Sequence, residues 1–165
     1  MKAVVVYESL WGNTAAVARA IAEGIGAEAQ VLSTAEATGD AIAGADLIVG
    51  GAPLHAFSLP TDKTRESSRT NTGKTGVPPD LSHPSMRSWL EGLAAGEGHS
   101  AAFETAFRGS PGSATRRIVR GLEGAGYRPV GKGKRFAIKG GQGPLQDGEL
   151  ERARQWGAEL ARPLG

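Results

Sequence analysis

A short segment near the start of the chain sets hydroxyl and amide side chains around a glycine, in an order that suits phosphate binding. The apolar run Val4-Val5-Val6-Tyr7 leads into Glu8-Ser9-Leu10-Trp11-Gly12-Asn13-Thr14. The glycine allows the chain to turn tightly, and Asn13 is a good N-cap for the helical pattern that follows. In a strand–turn–helix unit, the free amides of the first helical turn and the helix dipole together favour an anion. A capped turn without any ligand has the same pattern, so both interpretations stand at this point.

Several other chemistries are excluded by residue type or spacing. The chain contains no cysteine, which rules out thiol nucleophiles, cysteine-bound zinc, cysteine-bound iron–sulfur clusters and disulfides. The three histidines, His55, His83 and His99, lack the spacing of metal ligands. Gly73-Lys74-Thr75 resembles the end of a P-loop, but Ser68 stands where the first glycine of that motif belongs.

The composition describes one domain that can fold on its own apolar core. The 165 residues are 39% hydrophobic and carry a formal net charge of +2, which is too small to suggest nucleic-acid binding. The longest apolar runs, near residues 3–7 and 47–49, are far shorter than the ~20 residues that span a bilayer. Met1-Lys2 leads straight into the first run without the apolar core and cleavage site of a signal peptide. We therefore expect a cytoplasmic protein without a membrane span.

Short apolar runs alternate along the chain with segments of helical spacing. The predicted strands are residues 2–7, 29–32, 46–50, 101–107 and a fifth around 127–138, and the predicted helices are 13–24, 35–44, 85–95, 113–124 and 147–161. Parallel neighbours need a crossover connection, which a helix supplies, so this alternation predicts an α/β fold with a parallel sheet covered on both faces.

One long polar stretch interrupts the alternation. Residues 57–84 are rich in Ser, Thr, Arg, Pro and Gly and have almost no apolar residues. A connection of this length in a compact domain is either a functional lid or disordered, and the sequence leaves both open.

The segment from Ser9 to Thr14 resembles the phosphate loop of the flavodoxin family, whose usual form is Ser/Thr-x-Thr-Gly-x-Thr. The leading hydroxyl, the glycine, the asparagine and the final threonine match. Trp11 stands where most flavodoxins have threonine, and an aromatic residue at this place is familiar in flavodoxin-like quinone reductases. The resemblance therefore points to the flavodoxin-like superfamily, nearer to those reductases than to the acidic electron-shuttle flavodoxins.

The resemblance implies a single flavodoxin-like domain: a three-layer sandwich with a five-stranded parallel sheet in the order 2-1-3-4-5. It also implies noncovalently bound FMN beyond the carboxyl ends of strands one and three, where the strand order reverses. The residues then expected to bind FMN are Ser9, Leu10, Trp11, Gly12, Asn13 and Thr14 in the phosphate loop, and Pro53, Leu54, His55, Phe57, Thr105, Ala106, Phe107 and Arg108 around the ring. His55 is the candidate catalytic residue, because it is the one group nearby expected to titrate near neutrality. A solvated loop histidine is the alternative.

The charged residues are unevenly distributed. Residues 107–140 carry nine basic side chains against Glu123 alone, a net charge of +8, so the rest of the chain sums to −6. This segment could attract an acidic partner or an anionic ligand. It could also be a solvated helix face next to an edge strand protected by lysines.

Three functions follow from the resemblance. The first is an FMN-dependent oxidoreductase that transfers electrons to a quinone or another small organic acceptor. The second is a simple electron-transfer flavodoxin with a protein redox partner, an acidic one given the sequence pI of about 9.2. The third is a non-enzymatic module with a degenerate flavin site, which is favoured by the absence of tyrosine from the ring loops. A receiver domain would need several acidic residues after the first strand, where Glu8 stands alone.

Overall fold

The computed structural model describes residues 1–70 and 76–164. Residues 71–75 of the long polar stretch, which include Gly73-Lys74-Thr75, lie outside the described residues.

All the strands belong to one parallel sheet. They are β1 (Ala3–Tyr7), β2 (Gln30–Ser33), β3 (Leu47–Pro53), β4 (His99–Ala106), β5 (Arg128–Pro129) and β6 (Lys134–Ala137). Their order is β2-β1-β3-β4-β5, with β6 also paired to β4. Val5 lies opposite Val31 of β2 and Val49 of β3 in the register. This arrangement confirms the predicted order 2-1-3-4-5.

The fifth position of the sheet is filled by two short strands instead of the one predicted around 127–138. β5 and β6 both run parallel to β4, and residues 130–133 separate them. Two glycines account for the break. Gly131 has a left-handed φ of +70°, which a continuous strand does not accommodate. At Gly133 a Cβ would lie 2.5 Å from the Thr115 side chain, so the chain passes close to the neighbouring helix.

Helices cover both faces of the sheet. They are α1 (Asn13–Ile25), α2 (Gly39–Ile42), α3 (Asp62–Thr70), α4 (Met86–Glu91), α5 (Thr115–Gly124) and α6 (Glu149–Ala161). α1 and α6 bury Ile21 and Trp156 against the face that carries Val5. The opposite face, with Val4, packs against Ile42, Met86 and Ile118 of α2, α4 and α5. Within the described residues, no helix combines the length and apolarity that crossing a bilayer requires.

Helix α3 lies inside the polar stretch and is absent from the predicted elements. Its sequence, DKTRESSRT, has no apolar periodicity, so the usual signal of a helix is missing. The start of the helix is instead fixed by reciprocal capping. The Thr61 hydroxyl accepts the Thr64 amide at 3.1 Å, and the Thr64 hydroxyl accepts the Thr61 amide at 2.8 Å.

Helix α1 also begins differently from the prediction. The N-cap is Gly12, with a left-handed φ of +94°, and Asn13 is the first helical residue. A glycine suits this position because a side chain would be strained at that φ.

Candidate functional site

A cleft of about 600 Å³ opens at the carboxyl ends of the strands. Its walls come from the turn after β1, the segment after β3, the segment after β4 and the loop after β6, with α3 on one side. This is the place where the strand order reverses between β1 and β3, and open α/β sheets bind ligands there. The volume falls in the range of small-molecule and cofactor sites, about 300–1,000 Å³.

The structure brings most of the predicted site residues into this cleft. The lining includes Ser9, Leu10, Trp11, Asn13, Thr14, Pro53, Leu54, His55, Thr105, Ala106 and Phe107. Three predicted residues are not part of the lining. Gly12 lies exposed at the rim, and Arg108 is exposed in the loop after β4.

Phe57 is the third of these, and its backbone explains its position. Ala56 and Phe57 both have left-handed φ angles, of 46° and 74°, in a turn closed by two hydrogen bonds between His55 and Ser58. The Phe57 carbonyl accepts the Ser113 amide at 3.0 Å, and its side chain is 66% exposed. Phe57 is therefore held next to the loop after β4, and its ring is outside the cleft lining.

Two wall segments have no counterpart among the predicted site residues. One is Ser67 and Ser68 of α3, and the other is the loop after β6, which contributes Ile138, Gly140, Gly141, Gln142 and Gly143. Ser110, beyond the predicted ring-loop residues, also lines the cleft. The glycine-rich loop could have been found by topology, because the carboxyl end of the fifth strand reaches the same edge of the sheet. For helix α3, the sequence feature that could have predicted its start is the pair Thr61 and Thr64, spaced as a helix cap.

The turn after β1 presents unused backbone donors. Among the described residues, no group accepts a hydrogen bond from the amides of Leu10, Trp11, Asn13, Thr14 and Ala15. The Gly12 amide donates to the Ser9 hydroxyl at 3.1 Å, which leaves the hydroxyl proton of Ser9 available to a ligand. Amides left free at a helix N-terminus, beside a cleft, form an anion site in which main-chain groups supply the positive potential.

Three other segments of the chain contact this turn. The Thr14 and Thr105 hydroxyls lie 2.8 Å apart and join the first helical turn to the end of β4. The loop after β6 passes so close to α1 that a Cβ at Gly143 would lie 2.5 Å from Asn13 Oδ1. The Trp11 indole donates to the Val77 carbonyl at 2.9 Å, which fixes the ring at the edge of the cleft.

His55 is the only titratable side chain among the described residues that line the cleft. Burial, together with the nearby Arg65 charge, lowers its pKa to about 4. The expectation that His55 titrates near neutrality is therefore wrong, because desolvation disfavours the imidazolium. Its Nδ1 lies 3.2 Å from the Thr64 hydroxyl. At pH 7 the imidazole is neutral and acts as a hydrogen-bonding group.

The group that does titrate near neutrality is Glu8, directly under the turn. Its side chain is completely buried, and burial raises its pKa to about 7. Oε1 accepts the Met86 amide at 2.8 Å, whereas Oε2 has no hydrogen-bond partner and lies 3.6 Å from Arg65 Nε. A carboxyl in this setting holds its proton because the charged form has lost its water.

The opposite shifts of Glu8 and His55 predict opposite pH dependences of stability. Between pH 4.5 and about 7, the folded protein holds the Glu8 proton that the unfolded chain releases, so this contribution to stability falls as pH rises. Between about pH 4 and 6.5, the unfolded chain binds the His55 proton that the folded protein excludes, so this contribution rises with pH. The two contributions offset each other in the wild type.

Single variants should reveal each contribution. From pH 5 to 6.5, the unfolding free energy of Glu8→Gln should rise relative to that of the wild type, and that of His55→Asn should fall, each by about 2 kcal/mol at ~1.36 kcal/mol per pH unit. Urea unfolding at three pH values across this window measures both. Curves for the two variants that run parallel to the wild type would contradict the assigned shifts.

Two further buried glutamates anchor the other walls. Glu104 of β4 accepts the Ala114 and Thr115 amides through Oε1, at 2.9 and 3.1 Å, and Arg135 Nε through Oε2 at 2.7 Å. Arg135 in turn donates to the carbonyls of Phe107, Ser110 and Gly112. The loop after β4, which contains the cleft residues Phe107 and Ser110, is therefore held by one guanidinium.

Glu149 has the equivalent role for the loop after β6. Its Oε2 accepts the Ala137 amide at 2.6 Å, one residue before the cleft residue Ile138. The Arg152 guanidinium donates to both oxygens of Glu149, and this contact lowers the pKa of the Glu149 carboxyl. Arg152 also lies 4.6 Å from the centre of the Phe136 ring. Three walls of the cleft are thus each fixed by a glutamate–arginine pair: Glu8–Arg65, Glu104–Arg135 and Glu149–Arg152.

Comparison with solved structures gives the same architecture. The chain is similar to a flavodoxin from the domain Archaea, with 22% identity, 99% of each chain covered and a TM-score of 0.68. It is similar to oxidised Flavodoxin 1 from Bacillus cereus, with 22% identity, 100% of each chain covered and a TM-score of 0.66. A WrbA-like flavodoxin from Agrobacterium tumefaciens shares 20% identity over 98% of this chain and 96% of its own, with a TM-score of 0.58. No protein-family model and no curated protein matches the sequence.

These similarities and the strand order define a flavodoxin-like α/β fold. The predicted flavodoxin-like fold is confirmed.

Proposed function

We propose that this protein binds FMN noncovalently in the cleft and works as a redox protein. The observation that carries the proposal is the group of five free amides after β1, placed beside a cleft of about 600 Å³ where the strand order reverses. The flavodoxins among its structural neighbours support the same assignment.

The residues present suit this cofactor. The free amides of the turn and the hydroxyl of Ser9 would hold the phosphate. Leu10, Trp11, Leu54 and Phe107 offer apolar surface to a flat ring, and the neutral His55 offers a hydrogen bond at its edge. Bound flavin would supply one- and two-electron transfer, while the chain would position the ring and exclude water from its buried side.

A small neutral acceptor, such as a quinone, fits the lining better than a charged one. Apart from the neutral His55, the described lining residues have no ionisable side chains, so a substrate carboxylate or amine would enter without a counter-charge. We therefore propose an FMN-dependent oxidoreductase acting on quinones or similar organic acceptors. Electron transfer to a protein partner is the second candidate.

The surface charge determines which protein partner would suit the second candidate. Of the nine basic residues between 107 and 140, Arg135 pairs with Glu104 and Lys139 with Asp147. The other seven have no carboxylate within 4 Å in the part of the chain that the structure describes. Such a surface would attract an acidic redox partner and repel a basic one.

Flavin binding is the first test. We expect the purified protein to be yellow, or to quench the fluorescence of added FMN after removal of bound flavin. Riboflavin, which has no phosphate, should bind more weakly because it cannot use the free amides. A colourless protein that leaves FMN fluorescence unchanged would falsify the proposal and favour a non-enzymatic module of this fold.

Reduction assays then separate the two candidate functions. The FMN-loaded protein is mixed with NADH or NADPH and a benzoquinone or naphthoquinone, and turnover is measured at low and high salt. Turnover that is insensitive to salt supports the quinone reductase. Negligible turnover, with salt-sensitive electron transfer to an acidic electron-transfer protein, supports the shuttle.

A further inference from the structure

The Glu8–Arg65 pair joins two parts of the molecule that are distant in sequence. Glu8 directly follows β1, and Arg65 lies in the middle of α3. The side chains are 0% and 9% exposed, and Glu8 Oε2 lies 3.6 Å from Arg65 Nε without any hydrogen-bond partner of its own. The pair is therefore shielded from water, and Arg65 is the nearest cation to an otherwise unpartnered buried oxygen.

Arg65 also fixes residues 80–83, which follow α3 in the chain and contact the turn after β1. Its guanidinium donates to the His83 carbonyl at 2.7 Å. The His83 ring accepts the Ser9 amide through Nε2 at 3.2 Å. Close by, the Asp80 amide donates to the Leu10 carbonyl at 2.8 Å. One arginine thus links α3, residues 80–83 and the turn that carries the free amides.

Among the described residues, helix α3 has almost no apolar contact with the rest of the fold. Of its nine residues, all of which the structure describes, Arg65 alone is buried. Ser67 and Ser68, two and three residues further along, line the cleft. Apolar packing, which fixes most helices in proteins, cannot fix this one. The contacts that join it to the fold are polar: those of Arg65 beneath it, and that of the Thr64 hydroxyl, which lies 3.2 Å from His55 Nδ1.

We propose that Arg65 is a positioning residue: its contacts with Glu8 and His83 seat α3 as a wall of the cleft and support the phosphate-binding turn. The inference rests on the proposed function for its ligand, FMN, but the anchoring of α3 can be measured without any ligand. This role explains why α3 forms a wall of the cleft although its sequence has no apolar periodicity.

The experiment compares Arg65→Met with Arg69→Met. Both variants remove one arginine from α3, but Arg69 is exposed and, among the described residues, forms an ion pair with Glu66 of the same helix alone. We expect the Kd for FMN to rise about 10-fold in Arg65→Met and to stay within about twofold in Arg69→Met. In the absence of FMN, limited proteolysis should cut residues 54–84 several times faster in Arg65→Met than in Arg69→Met.

A double variant separates positioning from simple loss of stability. In Arg65→Met the buried Glu8 carboxyl has lost its nearest cation, and Glu8→Gln removes the ionisable group. We expect Glu8→Gln/Arg65→Met to regain thermal stability while its FMN affinity stays low, because the bond to the His83 carbonyl is still missing. If the affinity recovers together with the stability, or if it is unchanged in Arg65→Met, the positioning role is wrong.

The proteolysis result also distinguishes this inference from the proposed function. If the wild type does not bind FMN but Arg65→Met is cut faster in residues 54–84, the proposed function fails and the anchoring of α3 is supported. Equal cutting of Arg65→Met and Arg69→Met would overturn the anchoring, whether or not FMN binds.

Discussion

Replacement of Gly12 by valine is expected to weaken FMN binding by about 100-fold, which corresponds to about 2.7 kcal/mol. Gly12 is the N-cap of α1 and has a φ of +94°. A β-branched residue is strained at this angle, at a cost of about 1–3 kcal/mol. The turn would relieve the strain by changing its backbone angles, which would reorient the free amides of Leu10, Trp11 and Asn13. Riboflavin affinity should change only a few-fold, because the lost contacts are those to the phosphate.

Gly148 provides a matched control for this experiment. It is the N-cap of α6, has a φ of +82°, and like Gly12 has open space where a Cβ would lie. Gly148→Val should lose similar stability and keep its FMN affinity. If Gly12→Val does not fold, the milder Gly12→Ala can be measured in its place. Equal losses of FMN and riboflavin affinity in the Gly12 variant would show that the turn does not hold the phosphate. Titration of flavin fluorescence gives both constants.

The second large effect is expected at Arg135. Arg135→Met should lower the free energy of unfolding by about 3 kcal/mol, near the lower end of the range for breaking a buried ion pair. The side chain of Glu104 is only 4% exposed and loses its counter-charge, although it keeps two amide donors. Three carbonyls of the loop after β4 also lose the hydrogen bond from the guanidinium. Denaturant unfolding measures the loss.

The control is Arg116→Met on the first turn of α5. Arg116 is exposed and its side chain forms no ion pair with any described residue, so its replacement should change stability by less than about 0.5 kcal/mol. Arg135→Met should also weaken FMN binding, because Phe107 and Ser110 line the cleft. A stability change no larger than that of Arg116→Met would mean that Arg135 does not hold this loop.

The sheet and the turn after β1 could be predicted from the sequence because local patterns encode them. Short apolar runs alternate with helical spacing, and the chain order of these elements restricts the topology to a few arrangements. The Ser9-to-Thr14 segment combines a glycine with hydroxyl and amide side chains directly after a strand. The topology then assigned the ends of β3 and β4 to the same edge as this turn.

The anchors of the cleft could not be predicted because they depend on pairs distant in sequence. Arg135 is one of nine basic residues in its segment, and nothing nearby in the sequence marks it as the partner of Glu104, 31 residues earlier. Arg65 lies in a stretch with almost no apolar residues and pairs with Glu8 across the fold. The neutral state of His55 is equally a property of the folded molecule, since it follows from burial.

The divided fifth strand has a consequence for how copies of this chain meet one another. Along its outer side, β4 is paired with β5 and β6, of two and four residues; Lys132 lies in the interruption between them and Lys134 is the first residue of β6. An intermolecular sheet grows when a strand of another molecule pairs with a straight row of unpaired amides and carbonyls at an exposed edge. This border offers only short, bent and positively charged pieces, so it is a poor template for edge-to-edge aggregation at high concentration.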